Sequence, residues 1–563
     1  MFSIREVSAR PLGLVALLGL AACDIELSAP MATAHPGDAT PRRGGTLRYA
    51  SLGDIRSLDP ARSSDAVASA VIRLVFAALV EFDEQGRLAP ELAERWEVLD
   101  GGQHFRFFLR QDVRFHDGSR FTADEMKRSL ERALAPDTPN PSASYFRNIV
   151  GYDSYVAGKV PHLDGIVVDG SHELSIHLTA PDAAFLPLMT LPSARPVCPS
   201  AGARFKSDWH PCGTGPFQLR QGGWSRGQFV RVVRSESYFV KGLPYLDAIE
   251  LHFLVNAPTQ RFKFEAGELD FVRDLAHADT LRFARDKRWQ PSITRGPDVD
   301  IYGESMNTEV PPFDNVEVRR AVAFAINRKA LVALRPLHLS VHTSAIPRST
   351  PGFDPTFEGQ TFDLPKALEH MRRAGYPFDP KTGQGGYPHT LPYLVYPQGL
   401  FEKSGQLVQQ QLARIGLRIE LRLVSWASYL SLTQRRRTVA IAPMGWSQDY
   451  PDPSGLLDPL FGSASINDTE SSNSAFYRNA AFDALLARAR VELDPQKRTA
   501  VYRECNTILR DDAPWAFTVS YHAFEVRQPH LRGYAPHPVH AFNFARTWLD
   551  RASAVRSPLE PAR

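Results

Sequence analysis

A change of hydrophobic period late in the chain is the feature that most constrains its fold. Residues 405–415 carry apolar side chains at helical spacing, and Gly416 supplies a residue suited to a left-handed helix stop. Apolar and polar residues then alternate over 417–423, which is typical of a strand. A further helix over 428–435 and a buried strand over 439–442 follow. Helices and strands that alternate over short connections predict layered α/β structure.

The N-terminal half contains strands, a hairpin and a well-marked helix. Residues 46–50 alternate as a strand, and the runs 92–98 and 104–110 are separated by Asp-Gly-Gly, a hairpin signal. The pattern of 122–134 predicts a helix that starts at a threonine, with Glu125 placed to complete a capping box. With 563 residues, the chain has room for about three to four domains or lobes.

The charge balance and composition exclude several classes of protein. Lys and Arg number 65 against 62 Asp and Glu, a formal net charge of +3, so neither a nucleic-acid binder nor an acidic solvating tail is indicated. A hydrophobic content of 43% is that of an ordinary globular protein and excludes disorder of the whole chain. We expect no nucleic-acid partner.

The first residues have the layout of an export signal. Arg5 and Arg10 precede a short apolar run, 12–20, which is shorter than the ~20 residues that span a bilayer. The sequence Leu-Ala-Ala-Cys, ending at Cys23, resembles the bacterial lipobox, in which the cysteine becomes the lipidated first residue. An ordinary secretory signal cut nearby is the alternative. We expect the protein to lie in the periplasm, anchored to the membrane by lipidated Cys23 and without any other membrane contact.

Two further cysteines fit an oxidising compartment. Cys198 and Cys212 are close in sequence, and a bond between them would close a short loop and stabilise the protein by about 3 kcal/mol. Two unpaired buried thiols are the other interpretation. Cys505 lies in a helical pattern and is expected to be a small buried apolar side chain.

No set of catalytic or metal-binding residues is evident. The phosphate-binding glycine motifs and the Gly-x-Ser-x-Gly motif of serine hydrolases do not occur. His172 and His177 are five residues apart, which does not suit two ligands on a helix. His338 and His342 have the right spacing but no nearby carboxylate, and we interpret them as part of a surface loop. We expect no enzyme activity, no cofactor and no metal.

Motifs along nearly the whole chain resemble one family of transport proteins. The densest group lies at 92–125 and contains LAERW, FFLR, VRFHDG and FTADE. GGTL at 44–47 precedes this group. The motifs that follow it in order are GTGPF at 213–217, PFDN through AINR at 312–328, AGYP at 374–377, residues 446–453 and FYRN at 476–479. Over roughly residues 44–550 the chain is thus similar to the extracellular solute-binding proteins of the oligopeptide, dipeptide and nickel class, family 5, which are binding subunits of ABC importers.

The resemblance implies an α/β, two-lobed periplasmic-binding-protein fold with an extra domain inserted in the first lobe. It places the crossings between lobes near 298 and near 507. The implied division is a signal peptide over 1–22, a flexible tether over 23–43, lobe I over 44–88, its additional domain over 89–210, lobe I again over 211–297, lobe II over 298–507, and lobe I with the C-terminal tail over 508–563.

The resemblance also suggests where a ligand is held. Peptide-binding members use an aspartate three residues after a tryptophan to pair with the peptide's α-amino group, and Trp446 and Asp449 have this spacing. A turn-forming role in an Asp/Pro-rich loop is the alternative for Asp449. Asp54 matches a ligand-facing glutamate of some oligopeptide binders, or is a solvated strand end. Pro443 stands where some of them carry an arginine, which leaves recognition of a distant carboxylate open.

Three further residues are expected near the ligand, and each also has a structural interpretation. Tyr302 and Asn307 lie on the strand that enters lobe II, and Trp426 is a possible aromatic wall. The function implied is that of a periplasmic subunit, expected to be a monomer, which captures a peptide between the lobes and delivers it to the ABC permease. The alternative is a non-peptide solute, such as a nickel chelate, haem, opine or sugar, on the same scaffold.

Overall fold

The computed structural model describes residues 40–63, 65–201, 209–396, 401–448, 450–537 and 544–550. Cys23 and Asp449 therefore lie outside the described residues. No helix within these ranges combines the length and the apolar character needed to cross a bilayer. The α-helices are Ala66–Val75, Ala123–Leu134, Tyr152–Val156, Phe185–Leu188, Ala257–Glu265, His277–Arg285, Val316–Ala325, Arg328–Val332, Leu364–Arg373, Phe401–Ala413, Trp426–Thr433, Ser454–Phe461, Ala480–Val491 and Pro495–Asp512.

The first half of the chain forms two four-stranded sheets. The first sheet has the strand order Thr46–Ala50, Ala248–His252, Phe229–Arg234 and Phe217–Ser225. It is mixed, because Thr46–Ala50 pairs in parallel with its neighbour and the other strands pair antiparallel. The second is antiparallel, in the order Ala93–Leu99, His104–Leu109, Glu173–His177 and Ile166–Gly170. Two small pairs accompany them, Val80–Phe82 with Leu88–Pro90 and Leu531–Arg532 with Trp548–Leu549.

The second half of the chain is built on a mixed five-stranded sheet. Its strands lie in the order Ile419–Leu423, Leu391–Val395, Ile441–Ser447, Asp300–Met306 and Trp515–Phe517. Smaller sheets of this group are Leu339–Val341 with Val519–Tyr521 and Phe378–Asp379 with Gln384–Gly385. A three-stranded sheet, in the order Phe271–Val272, Phe524–Arg527 and Ile293–Arg295, belongs with the first group of sheets.

The chain passes twice between these two groups of sheets. Ile293–Arg295 pairs in the three-stranded sheet, whereas Asp300–Met306 pairs in the five-stranded one, and Trp515–Phe517 and Phe524–Arg527 make the return. We call the described residues 40–295 and 524–550 the first lobe and the described residues 300–517 the second lobe. Each lobe has its own hydrophobic cores, and Leu337 and Tyr450 of the second lobe pack into cores of the first. The domain boundaries drawn from the sequence stay predictions.

Local signals in the sequence explain several elements. The Asp-Gly-Gly hairpin forms, with Ala93–Leu99 antiparallel to His104–Leu109. Gly416 has a φ of +75°, the left-handed conformation predicted for the end of helix Phe401–Ala413. The capping box at Glu125 does not form: Thr122 makes no side-chain capping bond, and Glu125 accepts a hydrogen bond from Arg128 Nε at 2.6 Å.

The expectation that His338 and His342 lie in a surface loop is wrong. Their exposed fractions are 1% and 2%. His338 Nε2 lies 3.2 Å from Oγ1 of Thr280 in the first lobe, and its Nδ1 lies 3.2 Å from the carbonyl oxygen of His522. Burial lowers the pKa of both histidines to about 4, so both are neutral at physiological pH.

Cys198 and Cys212 form a disulfide bond in the structure, with their Cα atoms 5.4 Å apart. The Cys198 amide also donates to the carbonyl of Cys212 at 2.9 Å, so the two segments are adjacent through their backbones as well. Cys505 is a buried free thiol in helix Pro495–Asp512, as its helical pattern predicts.

Candidate ligand-binding cleft

A cavity of about 790 Å³ lies between the two lobes. Its volume falls within the roughly 300–1,000 Å³ typical of small-molecule sites. The first lobe contributes helix Ala66–Val75, the loop 141–148 and residues between 182 and 192, whereas the second lobe contributes residues between 446 and 472 together with Arg490. Segments far apart in sequence thus enclose one space.

Helix Ala66–Val75 is oriented by the periodicity of its side chains. It is capped by Asp65, whose Oδ1 accepts a bond from the Ala68 amide at 2.7 Å. Its buried face consists of apolar residues, including Val71 and Ile72, which pack in the first-lobe core. The opposite face turns small or polar residues toward the cavity: Ala66, Ser69, Ala70 and Arg73.

Three of the six charged side chains in the described lining of the cavity form ion pairs within the protein. Arg73 donates to Glu81 at 3.1 Å, and burial lowers the pKa of this arginine to about 10. Arg490 pairs with Asp458, whose pKa is raised by burial. With these pairs formed, the cavity lining is polar and its positive and negative charges nearly balance.

Asp182 is held by the first lobe at the edge of the same cavity. Its carboxylate accepts from Asn148 Nδ2 at 3.1 Å and from the Ala184 amide at 3.0 Å. Burial raises the pKa of Asp182 above its usual range. The bond from Asn148 ties the loop 141–148 to the segment that carries Asp182, and the bond from Ala184 holds the carboxylate within that segment.

The two lobes touch each other beside the cavity. The rings of Tyr145 and Tyr450 meet edge to face with centroids 5.5 Å apart, and the Ala183 amide donates to the carbonyl of Arg490 at 2.7 Å. Tyr450 is buried and packs in the core of the first lobe. The two lobes are therefore in contact on the side of the loop 141–148.

Trp446 is the predicted site residue that lines this cavity. It lies near the end of strand Ile441–Ser447, whose pairing with Asp300–Met306 sets its position. Its indole Nε1 is buried and has no hydrogen-bond partner among the described residues, and the same holds for Gln448 Nε2. Asp449 lies outside the described residues, but its neighbours Gln448 and Tyr450 both line the cavity.

Four other predicted residues lie outside the lining of this cavity. Asp54 is half-buried, and its Oδ1 accepts from the Ile55 amide at 2.7 Å. Asn307 is 1% exposed and donates to the carbonyl of Val439 at 3.2 Å, a contact that supports the loop around it. Its ligand role and that of Asp54 stay predictions.

Tyr302 and Trp426 belong to an aromatic cluster of the second lobe. The Tyr302 ring lies 6.3 Å from that of Phe401, centroid to centroid. Trp426 is 51% exposed, and its ring is 4.6 Å from Tyr396 and stacked on Tyr429 at 5.7 Å. The exposed side of the Trp426 ring can contact a ligand or solvent. The ligand roles of Tyr302 and Trp426 also stay predictions.

A comparison with protein families identifies the chain. The model described as bacterial extracellular solute-binding proteins, family 5 Middle, matches residues 87–468. The chain belongs to this family. Glutathione-binding protein GsiB of Salmonella typhi is 29% identical over 494 residues, which are 87% of this chain and 91% of that protein.

Solved structures show the same two-lobed α/β fold. Clavulanic acid biosynthesis oligopeptide binding protein 2 matches with a TM-score of 0.80 and 24% identity, over 91% of this chain and 96% of that one. The periplasmic binding protein DppA from Helicobacter pylori, in complex with peptide STSA, matches with a TM-score of 0.74 and 22% identity, over 91% and 99%. The fold expected from the sequence motifs is thereby confirmed.

Sequence reasoning missed much of the lining of this family 5 cleft. The polar face of helix Ala66–Val75, the loop 141–148 and Asp182 all line the cavity, and none was predicted. The apolar spacing of 66–80 predicts this helix, and its small and polar residues at helical spacing could also have indicated the face toward the cavity. The loop and Asp182 carry no local signal, because only the tertiary fold brings them to the second lobe.

Proposed function

We propose that this solute-binding protein is the periplasmic subunit of an ABC importer, which captures a peptide in the inter-lobe cleft and delivers it to a membrane permease. The observation that carries the proposal is the cavity of about 790 Å³ whose lining includes both neighbours of Asp449. The peptide-binding and glutathione-binding names of the relatives support a peptide-like ligand.

Asp449 is proposed to pair with the α-amino group of the peptide. A buried ammonium is costly unless a carboxylate faces it and its hydrogen-bond donors are satisfied. The unpartnered donors of Trp446 and Gln448 add a second element, because they suit the carbonyl oxygens of a peptide backbone. The cleft would then supply an acceptor to the ligand's amino end and donors to its backbone.

The proposal predicts the outcome of a thermal-shift screen. A ligand that binds only the folded protein stabilises it by RT ln(1 + [L]/Kd), about 2.7 kcal/mol at a concentration one hundred times Kd. Di- to pentapeptides should raise the melting temperature, whereas nickel chelates, haem, opines and sugars at the same concentrations should not. A higher melting temperature with one of those solutes, and no change with any peptide, would refute peptide capture and favour binding of a non-peptide solute.

Export and lipidation at Cys23 are the second part of the proposal. Membership of an extracellular family supports a periplasmic location, and Cys23 is the proposed anchor. Cys23→Ser should abolish partitioning into detergent after expression in a bacterial host. Equal partitioning of variant and wild type would exclude this cysteine as the anchor. The partners proposed are the peptide and the transmembrane permease subunits, for a protein that acts as a monomer.

A further inference from the structure

Arg147 is the one arginine of the cavity lining that lacks an ion pair within the described part of the chain. The other two lining arginines, Arg73 and Arg490, are bound by Glu81 and Asp458. No described carboxylate lies within ion-pair distance of the Arg147 guanidinium, which is exposed to solvent. A full positive charge is thus presented to the cleft.

The backbone that carries this charge is firmly held. Phe146 is buried in the first-lobe core, and the Arg147 amide donates to the carbonyl of Ser144 at 3.3 Å. Asn148 is bonded from two sides: its Nδ2 donates to Asp182 at 3.1 Å, and its carbonyl accepts from the Thr179 amide at 2.7 Å. A fixed backbone with a free guanidinium limits the entropy lost when an anion binds.

Arg147 also lies close to the seam between the lobes. Tyr145, two residues earlier, meets Tyr450 of the second lobe at 5.5 Å between ring centroids. Tyr450 directly follows Asp449 in the chain, so the first lobe presents a cation near the loop proposed to hold the ligand's amino group. A group held between the lobes at this seam would be partly shielded from water, which strengthens a charge pair.

We propose that Arg147 binds the terminal carboxylate of a short peptide ligand. This inference rests on the proposed peptide function and narrows it to short zwitterionic peptides with a free C-terminus. The planar guanidinium can donate two parallel hydrogen bonds to a carboxylate. The three aspartates of the described lining have other partners: Asp65 caps a helix, Asp182 accepts bonds from Asn148 and Ala184, and Asp458 pairs with Arg490.

Calorimetry with peptide acids and their C-terminal amides tests the pair. The probes are trialanine and Ser-Thr-Ser-Ala, which have no acidic side chain, each as acid and as amide. The proteins are wild type, Arg147→Gln, Arg147→Lys and the control Arg120→Gln, which removes an exposed arginine of the first lobe outside the cavity lining. Amidation should weaken binding to the wild type and to Arg120→Gln about 10- to 100-fold.

These combinations of protein and peptide distinguish failure of the Arg147 assignment from failure of the proposed peptide capture. Arg147→Gln should bind acid and amide with nearly equal affinity, and Arg147→Lys should retain part of the preference for the acid. If either peptide acid binds the wild type and amidation costs the same in wild type and Arg147→Gln, Arg147 is not the carboxylate anchor. If neither acid nor amide binds the wild type, peptide capture itself fails and this inference fails with it.

Discussion

Removal of the Asp452 carboxylate should strongly destabilise the second lobe. Asp452 is 3% exposed and lies three residues after Asp449. It accepts hydrogen bonds from Arg498 Nη2 at 2.9 Å, from the Tyr502 hydroxyl at 3.2 Å and from the Ser454 amide at 3.0 Å. Asp452→Ala would leave the guanidinium of Arg498 buried without its counter-charge.

The size of the effect follows from this burial. Loss of one partner from a buried ion pair costs about 3–5 kcal/mol, because the remaining charge is uncompensated. The exposed pair of Arg488 and Glu504 provides a matched control on the neighbouring helices. Its atoms are 3.4 Å apart, its side chains are 58% and 53% exposed, and Glu504→Ala should cost at most about 1 kcal/mol.

Urea unfolding followed by circular dichroism and tryptophan fluorescence measures both variants. Arg498→Met in the Asp452→Ala background should recover part of the lost stability, since it removes the unpaired charge. Ligand affinity should also fall in Asp452→Ala, because the loop that contains Asp449 loses its anchor. Equal destabilisation by Asp452→Ala and Glu504→Ala would refute the view that this buried pair fixes the loop.

Three further predictions concern the ligand, pH and oxidation. Asp449→Asn should weaken binding of a free peptide about 30-fold or more in calorimetry but leave the weaker binding of its N-acetylated form unchanged; equal losses for both peptides would exclude the amino-group role. Burial raises the pKa of Glu304 to about 7, and its carboxyl group accepts a hydrogen bond from the Tyr393 hydroxyl at 2.6 Å. Because the folded state favours the protonated acid, the stability of the wild type should fall as the pH rises from about 4.5 to 7. Glu304→Gln should therefore gain stability relative to wild type by roughly 2–3 kcal/mol at pH 8 but not at pH 4, and a difference independent of pH would contradict this. Non-reduced peptide mapping should show Cys198 linked to Cys212, a cross-link worth about 3 kcal/mol for its short loop, whereas full alkylation of both thiols without reductant would exclude it.

The parts of the fold that the sequence predicts are those set by neighbours in the chain. Asp-Gly-Gly marks the hairpin of Ala93–Leu99 and His104–Leu109, and Gly416 ends a helix because its left-handed φ needs no distant partner. The capping box failed for a competing local reason, since Arg128 takes the Glu125 carboxylate. His338 was misplaced because its burial depends on Thr280, 58 residues earlier in the chain.

The cleft shows the same limit more sharply. Trp446 could be proposed from a motif, because its position follows from one strand and the loop after it. Arg147 could not, because its relevance depends on the contact of Tyr145 with Tyr450, which are 305 residues apart. Residues whose role depends on two lobes meeting carry no periodicity or spacing of their own.

The loop after Trp446, where the ligand's amino group is proposed to bind, also carries a contact between the lobes. On one side it continues strand Ile441–Ser447, whose register is set by Asp300–Met306. On the other side Asp452 is bound to Arg498, so only a few residues lie between two fixed points. Tyr450, within that span, packs in the first-lobe core. A movement that separates the lobes must withdraw Tyr450 from that core, and the same movement shifts both neighbours of Asp449. Opening of the cleft and release of a ligand held at Asp449 would therefore be one mechanical event, rather than two steps that could be separated.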